Sequence, residues 1–294
     1  MGARAHPAPG LRHMVAAAFF FSLMSLLVRL AGAEGIPTMQ VVFARSVVVL
    51  AITGLLLLRQ GVSPLGHSRP LLLLRGIVGF ISLTCFYFAL IHLPLAEATV
   101  IQYTNPVWTA LLAAVFLREA IGRRELALSM ASLVGVVIIA RPTIVFGTAT
   151  EGLPALPVLA GLVGAVVSGL AYVIVRHVAR TENPLVIVFW FALVSAIGSL
   201  PLLPGFVPPS PATVWLLLGV GVTTFLGQIF VTLGLRAERA GKAMAVAYLQ
   251  VVFAALWGAL ILAERPDRWT LVGAVVILGA TWLLGRVRAP VVVM

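Results

Sequence analysis

An arginine set deep in an apolar stretch is the first residue of this chain that demands a chemical explanation. Arg45 follows Pro37 by eight residues, which puts it about 12 Å down a helix that rises 1.5 Å per residue. Near the middle of a bilayer an arginine costs at least ~2.5–3.5 kcal/mol, so it must face a polar cavity, a carboxylate or helix-end carbonyls. No Asp or Glu lies deep in any apolar stretch. Arg45 is therefore either a ligand for a carboxylate or phosphate on a substrate, or a cap on the carbonyls of a neighbouring helix.

The segment 95–117 is the richest in polar side chains: Thr99, Gln102, Tyr103, Thr104, Asn105, Trp108 and Thr109. Pro106 removes a backbone donor there, which predicts a kink and a freed carbonyl near Gln102. Tyr103 lies at mid-depth, eight residues past Leu95, and Tyr248 lies six past Lys242 on a second segment. Gln250 follows Tyr248 as Asn105 follows Tyr103. Gln228 is a further deep amide, and Tyr87 and Trp108 are aromatics able to stack on a ring or face a cation. The candidate substrate-binding set is thus Arg45, Tyr87, Gln102, Tyr103, Asn105, Trp108, Gln228, Tyr248 and Gln250. The plain alternative for the amides is hydrogen bonding between helices, worth only about 0.6 kcal/mol each. For the aromatics it is packing or an interfacial belt.

Other chemistries find no support. Glu119 and Glu264 each precede an arginine by four, Arg123 and Arg268, a spacing for an ion pair over one helical turn. They read as structural clasps, with a gate as the alternative. The histidines show no ligand spacing with each other, with Cys85 or with an acid, so neither a metal nor a cofactor is expected. An enzyme of the membrane, acting on lipid or isoprenoid substrates, is the alternative function; it would need clustered acids, histidines or a metal motif. The net charge of +11 does not point to nucleic acid, because the arginines sit singly between apolar runs.

The elements that must position these residues are membrane helices. The chain is 61% hydrophobic and 10% charged, with a mean hydropathy of +1.12; a soluble domain carries about 25% charged residues. Ten stretches are long enough to span, near 11–31, 37–58, 70–91, 95–117, 124–142, 155–178, 184–203, 212–235, 242–262 and 269–288. With the N-terminus in the cytoplasm, fifteen Lys and Arg residues, Arg75 among them, fall inside and four outside. Both termini are therefore expected in the cytoplasm. Arg4, Arg12 and the apolar run to Val28 also resemble a signal peptide, but the repeat described next uses that run as a structural helix.

A shift of 145 residues pairs Gly76 with Gly221, Phe80 with Phe225, Tyr103 with Tyr248, Glu119 with Glu264 and Arg123 with Arg268. Two halves of five helices each, an odd number, must sit upside down relative to each other. Inverted repeats suit a carrier, with the site near the midplane between the halves; symmetry would set Tyr103 and Tyr248 on opposite sides of one cavity. The expected fold is all-α: ten transmembrane helices as two inverted five-helix repeats, 1–142 and 155–294, joined by 143–154. No proline stands opposite Pro106, since Val251 occupies that position, which weakens the expectation that the two halves bend alike.

The residues Phe43-Ala44-Arg45, Arg75-Gly76, Ala89-Leu90, Leu93-Pro94-Leu95-Ala96, Ala98, Pro106 and Leu117-Arg118-Glu119 resemble the drug/metabolite transporter superfamily, specifically its EamA-type carriers. Gly234-Leu235, Ala240, Ala243 and Leu262-Ala263-Glu264 repeat the pattern more loosely. Ser68-Arg69-Pro70 followed by Leu74-Arg75-Gly76 is similar to the subgroup that holds S-adenosylmethionine uptake carriers. The resemblance implies a secondary transporter for a small polar metabolite, an amino acid or derivative, in a bacterial cytoplasmic membrane. Its partners would be the small-molecule substrate, the lipid bilayer and, as an open option, a second copy in a homodimer.

Overall fold

Apolar stretches fold as helices here because a backbone shielded from water must satisfy its own N–H and C=O groups. A computed structural model describes residues 9–93, 95–141, 153–203, 205–262 and 266–287, and every regular element in them is helical. The first part comprises α1 (Pro9–Ala33), α2 (Thr38–Arg59), α3 (Arg69–His92), α4 (Leu95–Gln102), α5 (Asn105–Phe116) and α6 (Arg123–Ala140). The second comprises α7 (Ala155–Val178), α8 (Pro184–Ser199), α9 (Pro211–Ala237), α10 (Ala240–Val246), α11 (Leu249–Ile261) and α12 (Arg268–Arg286). Most of the connection 143–154, the side chain of Glu97 and all of Glu264 lie outside the described residues.

Helix starts follow from capping chemistry. Asn183 accepts the Leu185 N–H at 2.9 Å ahead of Pro184, and Ser210 accepts the Thr213 N–H at 3.2 Å ahead of Pro211. Asp267 does the same for Thr270 at 2.9 Å.

Among the described residues, eight helical stretches are long and apolar enough to cross a membrane, α10 and α11 together forming one of them. The other two expected segments fall on α4 with α5, which is interrupted, and on α6, whose first turn is Arg123-Arg124-Glu125. Leu156, Leu159, Trp215, Leu260, Val275 and Trp282 all point outward. So much contiguous apolar surface calls for lipid rather than water around it.

Both interrupted helices break at matching places. α4 ends at Gln102 and α5 restarts at Asn105; α10 ends at Val246 and α11 restarts at Leu249. Val251 stands where the first break has Pro106, yet both helices are interrupted. In the second half the break is made by tighter turns without proline: the Ala247 N–H donates to Met244 O at 3.0 Å, Gln250 N–H to Ala247 O at 3.0 Å and Val251 N–H to Tyr248 O at 3.1 Å.

The densest packing joins the two parts of the chain to each other. α1 packs on α9 and α11, while α7 packs on α3 and α5; α2 lies on α8, α5 on α10, and α6 on α12. Close approach in the last pair depends on Gly135 and Gly273. A Cβ on Gly135 would stand 2.9 Å from the Gly273 carbonyl oxygen, and one on Gly273 would stand 2.6 Å from that of Gly135.

Candidate functional site

Where the two interrupted helices meet, each break presents a tyrosine. Tyr103 and Tyr248 stack with ring centroids 6.2 Å apart and planes inclined by 29°. They touch, rather than facing each other across an open cavity as symmetry suggested. Tyr248 is completely enclosed; among the described residues its hydroxyl makes no close hydrogen bond, and its polar neighbour is the Ser129 hydroxyl. Next to the pair lies a cavity walled by Met14, Phe21, Tyr103, Asn105, Tyr172 and Gln250, among others. Its volume of about 40 Å³ admits a few waters and no metabolite. The site is closed in this conformation.

The structure gathers part of the predicted set here. Tyr103, Asn105 and Gln250 line the cavity, and Tyr248 backs it through the stack. Gln250 reaches Ser25 of α1 at 3.5 Å. Gln102 is on the same broken helix, and its Oε1 is enclosed without a partner. Trp108 instead braces the break: its Nε1 donates to Thr104 Oγ1 at 3.2 Å, and that hydroxyl donates to Ile101 O at 2.7 Å.

Arg45, Tyr87 and Gln228 are buried elsewhere, on α2, α3 and α9, and none is part of the cavity wall. Tyr87 packs beside Phe86 at 5.7 Å. Arg45 forms no ion pair with a carboxylate among the described residues. Sequence reasoning passed over Met14 and Phe21, because nothing in an apolar α1 marks which face turns inward. Nor does anything in the sequence single out Tyr172 from the other membrane aromatics.

The pairing predicted for Glu119 is corrected. α5 ends at Phe116, so no helical turn connects Glu119 with Arg123. Glu119 Oε1 instead takes Arg176 at 2.8 Å and Arg180 at 3.7 Å, and Oε2 accepts the Ala240 N–H at 2.8 Å. Arg176 also donates to the Leu235 and Arg236 carbonyls at 2.7 and 2.9 Å, closing the end of α9. Alongside, Arg239 pairs with Glu125 and donates to Ala120 O at 2.7 Å. These contacts link the ends of α5 and α6 to the ends of α7, α9 and α10, so the clasp crosses between the two parts of the chain.

The sequence pattern of the EamA-like transporter family matches the chain twice, over residues 9–141 and 155–286. Among similar proteins is the pseudopaline exporter of Pseudomonas aeruginosa, 34% identical over 276 residues, which cover 93% of this chain and 95% of that protein. The S-adenosylmethionine uptake transporter of Rickettsia felis is 28% identical over 224 residues, 76% of this chain and 74% of that one. One crystal structure of a protein superposes with a TM-score of 0.82 at 21% identity, covering 94% of this chain and 97% of its own.

Proposed function

The chain belongs to the EamA-like transporter family, and on that premise we propose that it is a secondary carrier moving a small polar metabolite across the cytoplasmic membrane by alternating access. In this proposal the segments 95–117 and 124–142 complete ten spans. Residues 1–142 and 155–294 form two inverted repeats joined by 143–154, and both termini are cytoplasmic. The reciprocal packing of α1 with α9 and α11, and of α7 with α3 and α5, supports that symmetry.

The observation that carries the proposal is the meeting of two interrupted helices, one from each repeat, at the stacked Tyr103 and Tyr248 beside a small cavity whose mostly apolar wall includes Tyr103, Asn105, Tyr172 and Gln250. A break in a transmembrane helix leaves backbone groups free of the helical ladder. Such breaks are tolerated in lipid only where they are buried or line a cavity, and carriers place substrates there. Tyr103, Asn105, Tyr248 and Gln250 are the proposed lining, with Gln102 and Tyr172 adjoining. The clasp from Glu119 and Glu125 to Arg176 and Arg239 holds one end of the seam shut, as the gate of such a cycle must.

Relatives named for pseudopaline export and for S-adenosylmethionine uptake favour a small organic cargo and leave its direction to experiment. Purified protein in proteoliposomes, given radiolabelled amino acids and S-adenosylmethionine, tests the proposal. At least one labelled solute should accumulate above protein-free vesicles and raise the melting temperature of the detergent-solubilised protein. If none moves and none stabilises the protein, a carrier of these solutes is ruled out.

A further inference from the structure

Arg75 is a cation whose setting the clasps and the broken helices do not explain. It lies six residues into α3 from Arg69, about 9 Å along the helix, and is 3% exposed. An arginine at that depth ordinarily snorkels back to the nearer interface. Here the guanidinium turns the other way. Its Nη1 lies against Gly79, one turn further in, in the space a Cβ would need. Its carbon stands 4.3 Å from the centroid of the Phe191 ring on α8.

The Nε and Nη1 donors are enclosed and have no hydrogen-bond partner among the described residues. Among the described residues no carboxylate pairs with the group; its titratable neighbour is Tyr172 of α7, which is part of the cavity wall. α3, which carries Arg75, packs on α7, which carries Tyr172, so Arg75 lies on the helix next to the one that supplies this part of the cavity wall. Arg45 is similarly buried, but none of its nitrogens is both enclosed and unpartnered, and it does not adjoin the cavity.

Arginine cannot shed its charge, and a buried charge with open donors is costly. The Phe191 ring offsets only part of that cost. A snorkelling conformer would be cheaper, unless an anion completes the arrangement during the transport cycle. One positive charge matches one carboxylate, whereas a phosphate dianion would carry an excess negative charge into the bilayer.

We propose that Arg75 is a substrate-binding residue, and that the cargo is a metabolite whose carboxylate reaches Arg75 past Tyr172 at the seam between the repeats. This rests on the carrier function proposed above and names the class of its substrate.

Thermal shift and proteoliposome uptake with a panel of amino acids, S-adenosylmethionine and their methyl esters test it. In the wild type at least one free acid should bind at least about tenfold more tightly than its ester, the scale of a lost hydrogen bond to a charged group. Arg75→Gln should abolish that discrimination without lowering the melting temperature measured in the absence of solute, and Arg75→Lys should retain part of it. Equal binding of acid and ester by the wild type overturns the proposal, as does discrimination that survives in Arg75→Gln. Should Arg75→Gln not fold, the wild-type comparison and Arg75→Lys decide. Uptake indifferent to the carboxylate sinks the assignment of Arg75 and leaves the carrier standing; no uptake of any solute sinks both.

Discussion

Tyr248 combines complete enclosure with a hydroxyl that makes no close hydrogen bond among the described residues, the Ser129 hydroxyl being its polar neighbour. A buried hydroxyl left unsatisfied is a liability to stability, so its role is sought in the ring or in the substrate. The ring stacks on Tyr103, and a Phe would preserve that contact. Tyr248→Phe is therefore expected to melt at or above the wild-type temperature, while Tyr248→Ala, which leaves a cavity, should cost about 3–5 kcal/mol. Denaturant unfolding in detergent measures both. Transport by Tyr248→Phe then reports whether the hydroxyl serves the cargo: a fall in uptake with intact stability assigns it to the substrate. Tyr103 and Tyr248 were legible in the sequence because the repeat places one on the other. Arg75 was not, because it counts as an interfacial arginine by position and the same shift of 145 pairs it with Val220.

At the scale of elements, α12 presents two separable tests. It meets α6 through Gly135 and Gly273, whose backbones lie too close for a side chain. Gly273→Ala forces the helices apart, and overpacking of this kind costs about 1–3 kcal/mol, to be read as a lowered melting temperature. The start of α12 is capped by Asp267. Hydrogen bonding from the Thr270 backbone N–H, reinforced by its hydroxyl and by the Arg141 guanidinium at 2.7 Å, holds this carboxyl below the usual carboxylate range despite the opposing effect of desolvation. A depressed folded-state pKa means stabilisation that is full above the unfolded value of about 3.9 and is lost as pH falls through the folded one. Exchange of the Thr270 amide should consequently accelerate in acid beyond its intrinsic trend in the wild type. In Asp267→Asn, which keeps a capping oxygen but does not titrate, that acid-specific acceleration should vanish. Helix positions themselves were largely legible: the expected stretch 155–178 is α7, and 37–58 differs from α2 by a residue at each end. The matching break in α10–α11 was not, because no proline announces it.

For the molecule as a whole, the clasp is the contact whose loss should be felt at a distance. Glu119 ties Arg176 and the start of α10 to the end of α5, and Ala113 lies beneath it, 1% exposed and beside the same acid. Glu119→Gln keeps an acceptor for the Ala240 N–H but loses the charge opposite Arg176. In a cycle of two states, weakening a contact made in only one of them shifts the population toward the other. With the single native cysteine removed by Cys85→Ser, an Ala113→Cys probe should react with a maleimide faster in the Glu119→Gln background than in its parent. An unchanged rate would mean that the clasp is structural and does not gate.

What the sequence by itself determined is that the apolar stretches are helical, because lipid leaves the backbone no other way to satisfy its hydrogen bonds, and that tyrosines, glutamates and glycines recur at one spacing of 145 residues. Tertiary structure decided which helix lies against which, and with it the reach of Glu119 across the halves, the inward turn of Arg75 and the small cavity that Tyr172 shares with Tyr103. The reason is physical. Lipid tails are as apolar as leucine, so the pattern of side chains along a membrane helix does not distinguish a face that meets lipid from one that meets another helix. Only the packed bundle shows where a buried charge points and what stands beside it.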